Sequence, residues 1–97
     1  MEFEWDESKR QSNIERHGID FVDAPEAFNG PLLASLDQRT DYGEDRWIGI
    51  GQAAGRVVVV VYAERDEGQV VRIISMRKAL THERKAYEEI LYGLGSR

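Results

Sequence analysis

The chain has 97 residues, a net charge of −5 and no cysteine, which predicts one domain over residues 1–97 and excludes a disulfide framework or a thiolate metal site. It has no apolar run long enough to cross a membrane, and its acidic first four residues lack the basic and apolar regions of a signal peptide. We therefore expect a cytoplasmic protein.

The N-terminal part predicts one strand and two helices. Polar and apolar residues alternate over residues 2–5, which is typical of a short strand. Asp6 is a suitable N-cap for a helix that runs to about His17, and Gly18 can supply the left-handed residue that ends it. A shorter helix is predicted from about Phe21 to Phe28.

The remainder predicts four strands and a final helix. The strands are expected at Leu32–Arg39, Arg46–Gln52, Val57–Tyr62 and Val70–Met76, with breaks at 41–43, 54–55 and 66–68. The five consecutive valines of the third of these strands indicate burial on both faces. Thr81 is expected to cap a last helix whose apolar stripe comprises Tyr87, Ile90, Leu91 and Leu94. The order β-α-α-β-β-β-β-α predicts an α+β fold, a small antiparallel meander sheet with helices packed on it.

Charge is distributed unevenly along the chain. Residues 1–47 carry twelve acidic and five basic residues, whereas residues 48–97 carry six acidic and eight basic residues. This asymmetry is compatible with a solvated surface of random bias. It also fits an acidic face for a basic partner together with a smaller basic face for RNA.

Three groups of residues could carry chemistry. Lys9, Asn13 and His17 recur every four residues and therefore share one helix face, although Asn13 can instead bond a neighbouring loop and His17 can interact with the helix dipole. Glu64 and Arg65 follow the valine run, either as a general base beside a phosphate-binding cation or as solvated residues flanking a turn.

The third group is the cationic cluster of the last predicted strand. Strand alternation places Ser75 and Arg77 on one face and Arg72 on the other, and Lys78 follows at the end of the strand. Arginine can stabilise a phosphorane by bidentate bonding. A metal ion is not obligatory for RNA cleavage, because the nucleophilic 2′-hydroxyl belongs to the substrate. The alternative interpretation is a basic patch that docks a partner.

Motifs over nearly the whole chain resemble the BrnT toxin family, also called domain of unknown function 497. The matching segments, in chain order, are Phe3-Glu4-Trp5-Asp6-Glu7-x-Lys9, Asn13, His17-Gly18-Ile19, Phe21–Phe28, Gly43-Glu44-x-Arg46, Val60–Arg65, Arg72–Ala79, and Glu83, Arg84 and Tyr87-Glu88. Ala63 stands where the family usually has Thr, and Met76 where Ala is common.

The resemblance implies a fold similar to the RelE ribonucleases and an RNA-cleaving toxin without a cofactor or metal. It implies neutralisation by a BrnA-type antitoxin with a ribbon-helix-helix domain, in a heterotetramer that contacts operator DNA only through the antitoxin. The motif positions suggest Arg65 and Arg77 as transition-state contacts, with Glu64 or His17 as general base. The RNA-binding residues would be Lys9, Arg72, Ser75 and Lys78. We expect the guanidinium groups to gather at one end of the sheet.

Two other functions fit the sequence less well. One is a non-catalytic module that only binds an antitoxin and acts in transcriptional autoregulation, with the acidic N-terminal half as its functional surface. The other is a metal-dependent nuclease that uses carboxylates such as Glu64 and Asp66. The sequence contains no set of acidic and histidine residues at ligand spacing.

Overall fold

Five strands form one mixed sheet with helices on both faces, so the predicted α+β class is confirmed. The computed structural model describes residues 1–39, 41 and 43–93. Its elements are β1 (Glu2–Glu4), α1 (Glu7–His17), a 3-10 turn (Phe21–Asp23), α2 (Ala24–Asn29), β2 (Leu33–Leu36), β3 (Trp47–Ala53), β4 (Arg56–Arg65), β5 (Val70–Lys78) and α3 (Thr81–Tyr92). Tyr42 of the predicted break and Leu94 of the predicted apolar stripe lie outside the described residues.

The strand order across the sheet is β1-β5-β4-β3-β2. Strands β2 to β5 pair as an antiparallel meander, but β1 lies parallel to β5. The prediction of a purely antiparallel sheet is therefore wrong at this edge. The reason is that β1 is separated from β5 by most of the chain, so no hairpin turn dictates its direction.

Local capping signals act at both ends of α1. The Asp6 side chain accepts a hydrogen bond from the Lys9 backbone N–H at 3.1 Å, and Gly18 adopts a left-handed φ of 69°. The prediction for α3 is wrong by one residue, since Thr81 is already helical and the N-cap position is Leu80. The Glu83 carboxylate accepts the Leu80 backbone N–H at 2.8 Å, which is the reciprocal bond of a capping box and engages a different donor from the one that a threonine hydroxyl would engage.

Two apolar cores lie on opposite faces of the sheet. Even-numbered valines of β4, such as Val58 and Val60, pack beneath α1, the 3-10 turn and α2. Val57 and Val59 pack beneath α3 against Tyr87. These four valines are at most 7% exposed, which confirms the predicted burial of this strand on both faces. Odd-numbered residues of β4 face α3, and even-numbered residues face the other core.

A β-bulge interrupts the alternation of β5. Val61 pairs with Ser75 and Tyr62 with Ile73, so Ile74 is an extra residue opposite a regular β4. Before Ile74 the even-numbered residues of β5 face α3, whereas after it the odd-numbered residues do. Arg72 consequently shares the α3 face with Ser75 and Arg77, and the predicted placement of Arg72 on the opposite face is wrong.

The Asn13 side chain joins α1 to the outer edge of β5. Its amide nitrogen donates to the backbone oxygens of Ile19 and Met76, both at 2.9 Å, and its oxygen accepts the Met76 backbone N–H at 3.1 Å. Asn13 is 5% exposed, and its amide pairs with Met76 as a neighbouring strand would. It therefore serves the structure, in agreement with the loop-bonding alternative.

We expect Asn13→Ala to lower the free energy of unfolding by roughly 2–4 kcal/mol, because it leaves buried backbone groups of Met76 and Ile19 without a partner. Urea unfolding monitored by circular dichroism measures the change. Ser12→Ala, the exposed neighbour on the same helix, is the control and should alter stability by less than about 0.5 kcal/mol. Equal stability of the two variants would contradict this role for Asn13.

Candidate functional site

Three arginines share the part of the α3 face of the sheet that α3 leaves open. Register places Arg65 opposite Val70, Arg72 opposite Ala63 and Arg77 opposite Val59, all with side chains on this face. Ser75 lies between Arg72 and Arg77 along β5. We call this surface the arginine face and define it by these four residues: Arg65, Arg72, Ser75 and Arg77.

A glutamate from β1 lies at one end of the arginine face. Because Glu4 is paired with Arg72 in the parallel register, it is on the same face. Its Oε2 atom accepts a hydrogen bond from Arg72 Nη1 at 3.1 Å and is 3.8 Å from Arg65 Nε. The Glu4 side chain is 40% exposed, so the carboxylate is in contact with two guanidinium groups and also accessible to a substrate.

The other end of the arginine face is held by a bidentate ion pair. Arg77 Nη1 and Nη2 donate to the two carboxylate oxygens of Glu83 at 2.7 and 2.8 Å. The hydrogen bonds from Arg77 lower the pKa of Glu83 from 4.5 to about 2, and the Glu83 carboxylate raises the pKa of Arg77. Glu83 also caps α3, so this pair ties the helix to the sheet.

Arg65 and Arg77 do not lie together. Arg77 is opposite Val59, six residues before Arg65 on β4, which separates the two backbones by about 20 Å at the usual strand rise. The expectation that the guanidinium groups gather at one end of the sheet is therefore wrong. The β4–β5 hairpin places Arg65 beside its turn and Arg77 at its far end. The two residues nevertheless face the same side, with Arg72 and Ser75 between them.

Two predicted site residues lie on the opposite face. Glu64 pairs with Val71 and Lys78 with Val58, and both valines belong to the core under α1 and α2. Burial raises the pKa of Tyr62 on that face, and the Glu64 charge contributes to the same shift. The structure thus separates Glu64 from its neighbour Arg65, and Lys78 from Arg77, by the thickness of the sheet.

The two predicted residues of α1, Lys9 and His17, lie at the outer edge of β5. They line a depression of about 200 Å³ together with Ile74 and Ser75. Ser75 is therefore the point at which the arginine face and this depression meet. The structure brings together Lys9, His17 and Ser75 here, and Arg65 and Arg72 on the arginine face.

Reasoning from sequence did not identify Glu4 or Glu83 as site residues. Glu83 had a local signal, since it is an acidic residue in the first turn of a predicted helix, where a negative charge is favoured. Glu4 had no signal beyond its place in the family motif, because its contact with Arg72 spans 68 positions and depends on the pairing of β1 with β5.

Within the described part of the chain, no group of three or more acidic or histidine residues could hold a metal ion. None of the helices in that part is both long and apolar enough to span a bilayer.

Comparisons with known proteins give two related matches. A family model described as "Ribonuclease toxin, BrnT, of type II toxin-antitoxin system" matches residues 5–83. The 1.1 Å crystal structure of the Brucella abortus ribonuclease toxin BrnT is 34% identical to this chain, with a TM-score of 0.64, over 84% of this chain and 99% of that one. No curated protein matches.

The Arg77–Glu83 pair predicts a pH-dependent contribution to stability. The pKa of Glu83 is lowered from 4.5 to about 2, so the pair stabilises the fold fully above pH 4.5 and loses this effect as the pH falls toward 2. We expect the difference in unfolding free energy between the wild type and Glu83→Gln to be constant above that range and to shrink within it. Urea unfolding at successive pH values measures this difference, and a pH-independent difference would contradict it.

Proposed function

The chain belongs to the BrnT family of ribonuclease toxins of type II toxin–antitoxin systems, and from this premise we propose that it is an endoribonuclease that cleaves RNA without a metal ion on the arginine face. The family assignment confirms the resemblance found in the motifs. The observation that carries the proposal is the Glu4 carboxylate in contact with both Arg65 and Arg72 on one open surface.

In the proposed reaction, Glu4 accepts the proton of a ribose 2′-hydroxyl. The 2′-oxygen forms a bond to the adjacent phosphorus, the bond from phosphorus to the 5′-oxygen breaks, and the departing 5′-oxygen takes a proton from water. The protonated Glu4 then returns its proton to the hydroxide that remains, which regenerates the carboxylate. The products are a 2′,3′-cyclic phosphate and a 5′-hydroxyl. Arg65 and Arg72 donate hydrogen bonds to the phosphorane, whose negative charge grows in the transition state.

Glu4 is a better candidate than Glu64 for the general base. Glu64 is one residue from Arg65 in sequence, but its side chain is on the opposite face of β4. A general base must come within hydrogen-bond reach of the proton that it removes while the arginines hold the phosphate. His17 lies at the edge of β5 rather than between the arginines, and we assign it to RNA binding together with Lys9.

Arg77 has a different role from Arg65 in this proposal. Their backbones are about 20 Å apart, which is too far for both guanidinium groups to contact the same phosphate. Arg77 is also committed to Glu83 by two hydrogen bonds. It contacts a more distant phosphate of the bound RNA and keeps the far end of the face positively charged, whereas Arg65 and Arg72 contact the scissile group.

The toxin–antitoxin family implies an antitoxin partner. We propose that this partner is a BrnA-type protein with a ribbon-helix-helix domain, that the complex is a heterotetramer, and that operator DNA is contacted only through the antitoxin. A cytoplasmic location, where RNA and the antitoxin are made, fits this role. Kinship of the fold with the RelE ribonucleases also belongs to the proposal, which the antiparallel β2–β5 meander supports.

We expect Glu4→Gln and Arg72→Ala each to lower kcat for RNA cleavage by roughly 10²–10³-fold, since one removes the proton acceptor and the other a transition-state donor. Cleavage of a labelled RNA oligonucleotide measures kcat. Arg56→Ala is the matched control, because Arg56 begins the same strand as Arg65 but lies at its other end and on the other face. Wild-type activity in both site variants, with their folding intact, would exclude this assignment.

The proposed chemistry also fixes the products. RNA cleaved by the wild type should carry 2′,3′-cyclic phosphate ends, and the rate should persist in the presence of a chelator. Mass spectrometry of the fragments distinguishes these ends from the 5′-phosphates expected of a metal-dependent nuclease. Loss of cleavage in chelator would support the metal-dependent alternative. Antitoxin binding without any cleavage of RNA would support the non-catalytic module.

A further inference from the structure

The outer edge of β5 is only partly covered by β1. The parallel pairing ends where Glu4 lies opposite Arg72, and within the described residues no strand continues beside the rest of β5. Farther along, the Asn13 amide pairs with Met76. Between these two contacts, at the bulged residue Ile74, the edge opens into the depression of about 200 Å³.

Three basic side chains of α1 line this depression. Arg16 and His17 lie about two turns after Lys9, so all three can reach the same side of the helix, where they line the depression. Ser12 and Asn13 from α1 and Ser75 from β5 are the uncharged polar residues of its lining. No carboxylate is among the described residues that line it, so its charge is of one sign.

The cations of the depression differ from those of the arginine face in their pairing. Arg65 and Arg72 are paired with Glu4, and Arg77 is paired with Glu83. Among the described residues, by contrast, neither Lys9 nor Arg16 has a carboxylate within salt-bridge distance. An anion that enters the depression therefore meets two cations, Lys9 and Arg16, that form no salt bridge with a carboxylate of the described chain.

We propose that the depression is a second RNA subsite, which binds a backbone phosphate beside the scissile one. This inference rests on the proposed function and extends it from the site of cleavage to the path of the substrate. Ser75 is three residues from Arg72 along β5, a distance of about 7–10 Å. An RNA strand whose scissile phosphate lies at Glu4 and Arg72 can cross the edge of β5 at Ser75 and place a neighbouring phosphate among Lys9, Arg16 and His17.

The proposed subsite explains why β1 is short. A strand continuing beside residues 73–76 would fill the gap and separate the depression from the arginine face. With β1 ending at Glu4, the same residue that contacts the arginines also borders the passage to the depression. The Asn13 contact satisfies the edge of β5 at Met76 without extending a strand across the opening.

A matched pair of substitutions on α1 tests the subsite. Ser12→Glu places a carboxylate at the depression, whereas Gln11→Glu adds the same charge at the adjacent position outside its lining. The first measurement is the affinity of each variant for a single-stranded RNA made uncleavable by a 2′-deoxy substitution, over a range of salt concentrations. The second is KM and kcat for the corresponding cleavable RNA.

We expect Ser12→Glu to weaken RNA binding and raise KM roughly tenfold at low salt, with kcat at saturating RNA unchanged and the wild-type values kept by Gln11→Glu. Arg16→Gln should reduce the slope of log K against log salt by about 0.7, the value for one lost phosphate contact in a single strand. Circular dichroism confirms that each variant is folded.

Equal RNA affinity of Ser12→Glu, Gln11→Glu and the wild type would overturn the subsite. So would a variant that weakens antitoxin binding but leaves RNA binding unchanged, since the depression would then be a protein contact. The proposed function fails differently: the wild type itself would leave RNA uncut. The binding comparison with uncleavable RNA does not depend on cleavage and therefore tests the subsite in either case.

Discussion

The single extra residue in β5 governs the arrangement of the site. Ile74 has no counterpart on β4, so the residues that follow it exchange faces relative to those before it. A regular β5 would direct Arg72 to the face opposite Ser75 and Arg77. With the bulge, Arg72 and Arg77 point to the same surface as Ser75, and the register of β1 places Glu4 beside Arg72.

The outer edge of β5 is completed partly by a side chain. Beyond Arg72 the strand exposes backbone groups that must find partners, and Asn13 provides them at Met76. Between β1 and this contact the edge opens at Ile74. Because the edge of β5 is paired only at these two places, it leaves open the depression that the basic side chains of α1 line. Strand pairing, helix position and candidate RNA path are consequences of the same local geometry.

The carboxylates near the site show why net charge is a poor guide to this surface. The chain is acidic overall, yet Glu4 and Glu83 lie within ion-pair distance of the arginines and organise them. Because these pairs are partly exposed to solvent, each contributes little to the stability of the fold, and their main effect is to orient the guanidinium groups. In the proposed reaction a phosphate competes with Glu4 for the same donors, which would place a proton acceptor next to the substrate.

The sequence by itself determined those features that depend on neighbouring residues. The valine run of β4 was predicted to be buried on both faces, and Asp6 and Gly18 were predicted to delimit α1, because periodicity and capping act within a few residues. The family motifs also named Arg65 and Arg77 as candidate site residues, a role that stays a prediction. Only the tertiary structure decided that β1 runs parallel to β5, that Ile74 bulges and that Glu4 contacts Arg72. Those outcomes follow from pairing between distant segments, for which no local pattern carries the information.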